Sequence, residues 1–246
     1  MSIKVRHILR TLGSALLDFA FLPFCSLCRK SLNDGERIVC EGCWSKMEVL
    51  AGPCCPRCGA PAPGPGGGCL NCSGRAFRFG GARVLAGFDE GAQALIHLLK
   101  YREKPSVGVR LGRMLGEAVR GDSRMSGVDL ILPVPLHRSR VRERGYNQSA
   151  LIARGVGEAL GRPVEEKALA RTRATRTQTE LSAEERVQNV SAAFVVRRPE
   201  RVAGLRLLLV DDVITTGSTL DACAGVLLEA GAAEVFASAV ASPFRE

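Results

Sequence analysis

Two different spacings of apolar residues alternate along the later part of the chain. Short, almost continuous apolar runs such as DLILPVPL and LLLV are typical of strands that are buried on both faces. Longer segments such as VGVRLGRMLGEAVR, in which apolar residues recur three or four positions apart, are typical of helices that bury one face. Because the two kinds of segment alternate, the pattern predicts an α/β fold with a parallel sheet flanked by helices.

The predicted elements of this part lie between residues 83 and 246. Strands are predicted at ARVLAGFD, DLILPVPL, LRLLLV and EVFASAVA. Helices are predicted at GAQALIHLLKYR, at VGVRLGRMLGEAVR, at NQSALIARGVGEALG with a cap on Asn147, and at residues 217–230 before Gly231. Residues 171–190 are polar and rich in Arg, Thr and Gln, and we expect them to form a long loop.

Residues 1–24 are predicted to form an amphipathic helix that packs on the rest of the protein. A basic start followed by LGSALLDFAFLPF also suits a secretory signal peptide. However, Asp18 interrupts the apolar run, no small-residue cleavage site follows it, and the run is too short to cross a bilayer. We therefore expect a cytoplasmic protein without a transmembrane segment.

Residues 25–75 form a separate region that is rich in Cys, Gly and Pro. Nine of the ten cysteines lie here, and eight of the nine form four CxxC pairs. The spacing of the first two pairs is nearly repeated 30 residues later, so the region contains an internal duplication. The paired cysteines are Cys25, Cys28, Cys40, Cys43, Cys55, Cys58, Cys69 and Cys72.

Paired CxxC turns are typical of structural zinc sites, because each turn places two thiolates on one side of a tetrahedral ion. The order of the pairs predicts two successive zinc ribbons, and thus two structural Zn²⁺ sites. A cross-braced arrangement, in which alternate pairs share a metal, is an open alternative. Cys54 could replace its neighbour Cys55, although C-x2-C forms the better turn. In a cytoplasmic protein, metal binding is favoured over disulfides.

The stretch LLLVDDVITTGSTL, residues 207–220, carries the candidate chemistry. In parallel sheets, ligands bind beyond the carboxyl ends of strands, where loops lead into helices. Residues 215–219 would offer backbone N–H groups, hydroxyls and a helix N-terminus to a phosphate. Asp211 and Asp212 would be costly beside a phosphate unless they bind hydroxyls or a cation. A sugar phosphate satisfies both requirements, with its ribose hydroxyls on the two aspartates.

The net charge and the absence of other phosphate-binding motifs limit the class of ligand only in part. The chain has 34 basic and 25 acidic residues, a net charge of +9, which favours anionic partners. Neither a GK[ST] phosphate loop nor a GxGxxG dinucleotide loop is present in the sequence. Charge alone does not choose between a phosphate-bearing small molecule and nucleic acid.

LLLVDDVITTGST resembles the phosphoribosyl pyrophosphate (PRPP) motif of type I phosphoribosyltransferases. Together with ILPVPLHRSRVRERGYNQ, RTRATRTQTELSAEERVQNV and the four CxxC pairs, it resembles the ComF family of competence-associated proteins from about residue 20 onward. The resemblance implies a type I phosphoribosyltransferase fold over residues 83–246, with an N-terminal double zinc ribbon over residues 25–75. It also implies Mg²⁺ as the companion of PRPP.

The resemblance adds further site residues. It implies that residues 133–140, PVPLHRSR, form the loop that holds pyrophosphate, and that residues 171–190 form a loop that closes over the ligand. Candidate catalytic residues are Arg173, Arg186 and Lys100. The predicted PRPP-binding set comprises Asp211, Asp212, Thr215, Thr216, Gly217, Ser218, Thr219, Val134, Pro135, Arg138 and Arg140.

The sequence is consistent with two functional hypotheses. The first is transfer of a 5-phosphoribosyl group from PRPP to an unknown acceptor, in association with DNA uptake and natural transformation. The second is a non-catalytic accessory protein of the competence machinery that binds PRPP or single-stranded DNA. The basic charge supports the second hypothesis, whereas a content of only 5% aromatic residues weakens it, because single-strand binders stack bases on aromatic rings.

Overall fold

The computed structural model describes residues 23–62, 69–73, 75–101, 104–172 and 193–244. The chain divides into two compact units, Met1–Lys46 and Met47–Glu246. Residues 1–22 of the helix predicted for residues 1–24, and most of the loop predicted for residues 171–190, lie outside the described residues. The predicted end of that helix is wrong, because Phe24 forms an antiparallel bridge with Ser31.

The described part of the first unit is built around a CxxC turn. Arg29 donates its backbone N–H to the carbonyl of Cys25 at 3.0 Å, and Cys25 donates to the carbonyl of Lys30 at 2.8 Å. This turn requires a left-handed residue, and Arg29 adopts a φ of 63° there. A short helix, α1 (Glu41–Trp44), follows the third cysteine of the unit and buries the fourth, Cys43.

A four-stranded parallel sheet forms the centre of the second unit, as the sequence pattern predicts. Its strands are β1 (Ala82–Gly87), β2 (Leu130–Pro133), β5 (Arg206–Val213) and β6 (Glu234–Ser242), in the order β1-β6-β5-β2. The prediction ended β5 before the two aspartates, and this end is wrong. Asp211 pairs with Ala239 of β6, and Val213 pairs with Ala241, so the strand continues through both acids.

Four helices flank the sheet close to their predicted positions: α2 (Glu90–Tyr101), α3 (Pro105–Arg120), α5 (Gln148–Leu160) and α6 (Ser218–Glu229). The predicted cap on α5 is confirmed, because the Asn147 side chain accepts the backbone N–H of Ser149 at 3.1 Å. Helix α6 packs against the face of the sheet that carries Leu207 and Leu209. Helices α3 and α5 cover the opposite face.

Two elements of the second unit were not predicted. Helix α4 (Arg138–Arg144) begins where the side chain of His137 accepts the N–H of Ser139, and it ends at Gly145 with a φ of 79°. The strands β3 (Leu169–Arg171) and β4 (Phe194–Val196) form an antiparallel pair beside the main sheet. Both elements border the region that the sequence assigns to ligand binding.

Helices α3 and α5 touch backbone to backbone, and this contact fixes the position of α5. A Cβ on Gly112 would lie 2.0 Å from the carbonyl oxygen of Ile152, and one on Gly155 would lie 2.1 Å from that of Val109. Since α5 carries Gln148 and the buried Ser149 at its first turn, the glycine contact also sets where these polar side chains stand relative to β5.

Replacing Gly155 with alanine should therefore destabilise the fold. We expect a loss of about 3 kcal/mol in the free energy of unfolding, because the methyl group forces the two backbones apart. Urea unfolding followed by circular dichroism measures the change. Gly121→Ala is the control, since a Cβ there would lie 3.6 Å from its nearest neighbour, an ordinary contact. Equal stabilities of the two variants would contradict the close helix contact.

Candidate functional site

The loop after β5 has the geometry of an anion-binding turn. Gly217 caps α6 with a left-handed φ of 78°, and Ser218 begins the helix. The hydroxyl groups of Thr216 and Ser218 lie 2.8 Å apart, and both residues are exposed. First-turn N–H groups of a helix have no carbonyl partner within that helix, so they point at whatever binds there. Thr215 belongs to the loop, whereas Ser218 and Thr219 lie in the first turn of α6, so the loop predicted for residues 215–219 ends at Gly217.

Asp212 is held in a buried polar cluster at the end of β5. It is 6% exposed, and its Oδ2 atom lies 2.5 Å from Nζ of Lys100 on α2. The side-chain amide of Gln148 also donates to this oxygen, at 3.4 Å. Of the five buried polar or charged side chains in the described part of the chain, Asp212, Gln148 and Ser149 gather at this point. Three of these five buried polar side chains are therefore concentrated at the carboxyl end of β5, where they form hydrogen bonds with one another or with Asp211.

Asp211 occupies a different environment from its neighbour. Its Oδ1 atom accepts hydrogen bonds from the hydroxyl of Ser149 and from the backbone N–H of Asp212, both at 2.9 Å. Burial, and then the negative charge of Asp212, raise the pKa of Asp211 to about 7. A carboxyl group with such a pKa changes its charge near neutrality.

The loop after β2 runs beside these acids. Val134 donates its N–H to the carbonyl of Val210 at 2.9 Å, and its own carbonyl accepts from the Asn147 side chain at 3.0 Å. Val134 and Pro135 thus lie in the loop, next to β5. The prediction that this loop extends to residue 140 is wrong: Arg138 and Arg140 belong to α4, because the His137 cap starts a helix.

A cavity of about 390 Å³ lies between this loop, α4, the start of α5 and the β3–β4 pair. Its lining is strongly basic, with one acidic residue, Glu166. Burial lowers the pKa of Arg171, whose guanidinium lies 5.5 Å from the ring centre of Phe194. The basic lining residues are Arg138, Lys167, Arg171, Arg197 and Arg198. The space is large enough for a nucleotide-sized ligand, and its charge favours an anion.

Each unit contains one group of four cysteines, and both groups suit zinc. Within each group the ligand atoms lie within 4.8 Å of one another. A tetrahedron with Zn–S bonds of about 2.3 Å has edges of about 3.8 Å. The Sγ atoms of Cys28 and Cys40 are 3.6 Å apart, and those of Cys55 and Cys72 are 3.7 Å apart. The donor set and its dimensions therefore fit a structural ion.

The structure decides the order of the ligands. The first four-cysteine group is Cys25/Cys28/Cys40/Cys43 and the second is Cys55/Cys58/Cys69/Cys72, so the pairing is sequential and the cross-braced alternative is wrong. Cys54 is not a member of the second group. Burial and the neighbouring cysteines raise the pKa of Cys72 to about 11. Four thiolates this close repel one another unless a cation lies between them, so deprotonation and metal binding go together.

The sequence matches two protein families. Residues 16–73 match the double zinc ribbon domain, and residues 146–242 match the phosphoribosyl transferase domain. The DNA utilization protein YhgH of Salmonella typhimurium is 34% identical over 214 residues, which are 86% of this chain and 93% of the relative. Competence protein F of Haemophilus influenzae is 32% identical over 215 residues, again 86% of this chain and 93% of the relative. The chain belongs to the ComF family.

Competence protein ComFC of Bacillus subtilis is a more distant ComF relative, 27% identical over 79% of this chain and 80% of its own length. Among solved structures, the allosteric regulatory enzyme of purine biosynthesis shares 28% identity over 57% of this chain and 29% of that chain, with a TM-score of 0.39. At that TM-score the likeness carries no argument about function. In the described parts of this ComF protein, no helix has the length and apolar character needed to cross a bilayer.

The ComF fold brings together predicted residues that are far apart in the sequence. Lys100 forms an ion pair with Asp212. The loop containing Val134 lies beside β5, the strand that carries the two aspartates. The predicted catalytic residues Arg173 and Arg186 lie outside the described residues. Gln148 and Ser149 were predicted only as the start of a helix and not as site residues, although polar residues directly after a cap are a usable signal.

The raised pKa of Asp211 makes a prediction about pH. An aspartate in an unfolded chain titrates near pH 4. The folded protein therefore keeps the proton of Asp211 to a higher pH than the unfolded chain does. As a result, the free energy of unfolding is highest below about pH 4 and falls as pH rises towards 7. Asp211→Asn stays neutral, so its free energy of unfolding should rise relative to wild type between pH 5 and pH 7 and then level off. Urea titrations at each pH measure the difference, with the exposed Glu229→Gln as reference. A difference that does not change with pH would refute the assigned pKa.

Proposed function

We propose that this ComF protein binds PRPP together with Mg²⁺ and transfers its 5-phosphoribosyl group to an acceptor, in a process connected with DNA uptake. One observation carries the proposal. Two aspartates at the carboxyl end of β5 stand directly before a hydroxyl-rich loop that opens onto the N-terminus of α6. The phosphoribosyl transferase domain that the sequence matches supports the same assignment.

Each part of PRPP has a chemically suitable partner at this site. The 5-phosphate would accept hydrogen bonds from the first-turn N–H groups of α6 and from the hydroxyls of Thr215, Thr216, Ser218 and Thr219. Ribose hydroxyls would donate to Asp211, which is half-buried and ionises near neutrality. Asp212 would be oriented for the same task by Lys100. Lys100 is therefore proposed as a positioning residue, and not as a group that touches the reacting atoms.

The pyrophosphate would lie against the loop at Val134 and Pro135, beside the acids. In the transfer, the acceptor's lone pair forms a bond to C1 of the ribose, and the C1–oxygen bond breaks with its electrons leaving on pyrophosphate. Mg²⁺ supplies positive charge to the leaving group when it is bound. Arg138 on α4 lines the basic cavity beside this loop and would add positive charge near the leaving group. Arg173 and Arg186 are proposed as further catalytic residues.

Binding of PRPP tests the proposal directly. In the presence of Mg²⁺, titration calorimetry should detect binding to wild type, and Asp211→Asn with Asp212→Asn should weaken it about 100-fold or more, since each carboxylate–hydroxyl bond is worth about 1.5–3 kcal/mol. Glu229→Gln is the control, an exposed carboxylate that should leave the affinity unchanged. Pyrophosphate release with a panel of nitrogenous acceptors then measures transfer. Unaltered binding by the double variant would refute the site.

The basic cavity supports a second candidate function, binding of single-stranded nucleic acid. Five cationic side chains and one acidic residue line this space, and the relatives named DNA utilization protein and competence protein point to DNA as a partner. Phosphate contacts release counterions, so affinity for such a strand depends steeply on salt.

An oligonucleotide titration distinguishes this function from non-specific charge attraction. Arg197→Ala together with Lys167→Ala should lower the affinity and reduce the slope of log affinity against log salt by about 1.4, or about 0.7 for each lost phosphate contact. Arg113→Ala together with Arg120→Ala is the control, because it removes the same charge from α3, away from the cavity lining. If both pairs reduce the affinity equally, the cavity is not the binding site.

A further inference from the structure

The second four-cysteine group is attached directly to the sheet that carries the phosphate loop. Val49 forms a bridge to Ala86 of β1, and Leu50 donates its N–H to the carbonyl of Leu85 at 2.8 Å. A Cβ on Gly59, at the end of the Cys55–Cys58 turn, would lie 2.9 Å from the backbone nitrogen of Val84. The turn therefore rests on β1 with no side chain between the two backbones.

Residues 75–79, which we name the strap, lead from this group towards α6. The strap begins three residues after Cys72, and its first N–H, that of Arg75, donates to the Cys72 carbonyl at 3.0 Å. Arg57, inside the Cys55–Cys58 turn, donates a hydrogen bond to the carbonyl of Arg75. Both CxxC turns of the second group thus hold the start of the strap.

The other side of the strap contacts the phosphate loop at successive points. A guanidinium nitrogen of Arg75 donates to the carbonyl of Thr216 at 3.1 Å. The ring of Phe77 lies against Gly217, where a Cβ would come within 2.9 Å of it, and this ring stacks on Phe79 with 4.5 Å between centres. The strap therefore touches the residue that caps α6 and the residue before it.

The contact with Thr216 fixes a direction that matters for anion binding. In a planar trans peptide, the carbonyl of Thr216 and the N–H of Gly217 point in opposite directions. Because Arg75 holds the Thr216 carbonyl towards the strap, the N–H of Gly217 points away from the strap. Phe77 occupies the space beside Gly217 and supports the left-handed φ of 78° on which the turn depends.

The strap also neutralises an acid in the first turn of α6. Arg78 donates its backbone N–H to Asp221 at 2.5 Å, and its guanidinium forms an ion pair with the same carboxylate at 3.1 Å. A carboxylate near a helix N-terminus competes with a bound phosphate for the same positive field. Engaging Asp221 with Arg78 leaves the N–H groups at the start of the helix for an incoming anion.

We infer that the strap couples metal binding at the second four-cysteine group to the phosphate loop, with Arg75 and Phe77 as positioning residues for the 5-phosphate of the ligand. This inference rests on the proposed sugar-phosphate site and adds its regulation. An ion at the second group holds the two CxxC turns together, these turns hold the strap, and the strap holds the loop. Loss of that ion by chelation or thiol oxidation lowers the affinity for the sugar phosphate.

Hydrogen–deuterium exchange of the ligand-free protein tests the coupling without any ligand. Arg75→Ala should speed exchange of the amides in residues 214–220 while the chain keeps two zinc ions, and Arg75→Lys should restore part of the protection. Cys72→Ser should produce the same local loss with one zinc ion per chain. Cys43→Ser, the matched change in the first four-cysteine group, also loses one ion and should leave this segment protected. Unchanged exchange in both Arg75→Ala and Cys72→Ser, or equal loss in both cysteine variants, overturns the inference.

Calorimetry with ribose 5-phosphate supplies the second readout. Loss of one hydrogen bond from a charged donor should weaken binding about tenfold in Arg75→Ala. If exchange increases but affinity stays the same, the strap does not position the phosphate loop, and the inference fails. If wild type does not bind ribose 5-phosphate or PRPP at all, the proposed function fails, whereas the exchange experiment still reports on the coupling between the second four-cysteine group and the loop.

Discussion

The pairing of β5 with β6 through both aspartates is the constraint on which the candidate site depends. Because Asp211 and Val213 remain in register with Ala239 and Ala241, the side chains of the two acids leave the strand on opposite sides. Adjacent carboxylates in a flexible loop would move apart or share one environment. Here the strand places Asp212 against Lys100, and Asp211 remains with the hydroxyl of Ser149 and a raised pKa.

The surrounding helices extend this constraint into a binding surface. The backbone contact between Gly112 and Gly155 holds α5 against α3, so the polar first turn of α5 faces the end of β5. The loop at Val134 is fastened to the neighbouring strand and to the Asn147 cap. Backbone contacts and glycines thus fix the positions of the elements around the site, and a few charged side chains provide the groups that can bind a ligand. This division suits a site whose ligand carries most of the negative charge itself.

The sequence was informative wherever a local pattern determines structure. The central strands follow from apolar runs, and the cysteine spacing predicted both four-cysteine groups. Helix α4 was missed because its arginines carry no apolar periodicity, and its start depends on a cap by His137. The β3–β4 pair was missed because its strands are three residues each and are separated by a long polar segment. Contacts such as Arg75 with Thr216, which are 141 positions apart, have no local signature.

The two four-cysteine groups differ at one position of a turn that they share. The first CxxC turn of each group closes through the same two backbone hydrogen bonds. Each of these turns has a left-handed residue directly after its second cysteine, which is Arg29 with a φ of 63° in the first group and Gly59 with a φ of 76° in the second. The turn itself tolerates either residue. Only glycine leaves the face of the turn bare enough to lie on a strand, as it does at Val84. Because Gly59 has no Cβ, the second four-cysteine group can lie directly on β1. In the first group, the side chain of Arg29 occupies the corresponding position.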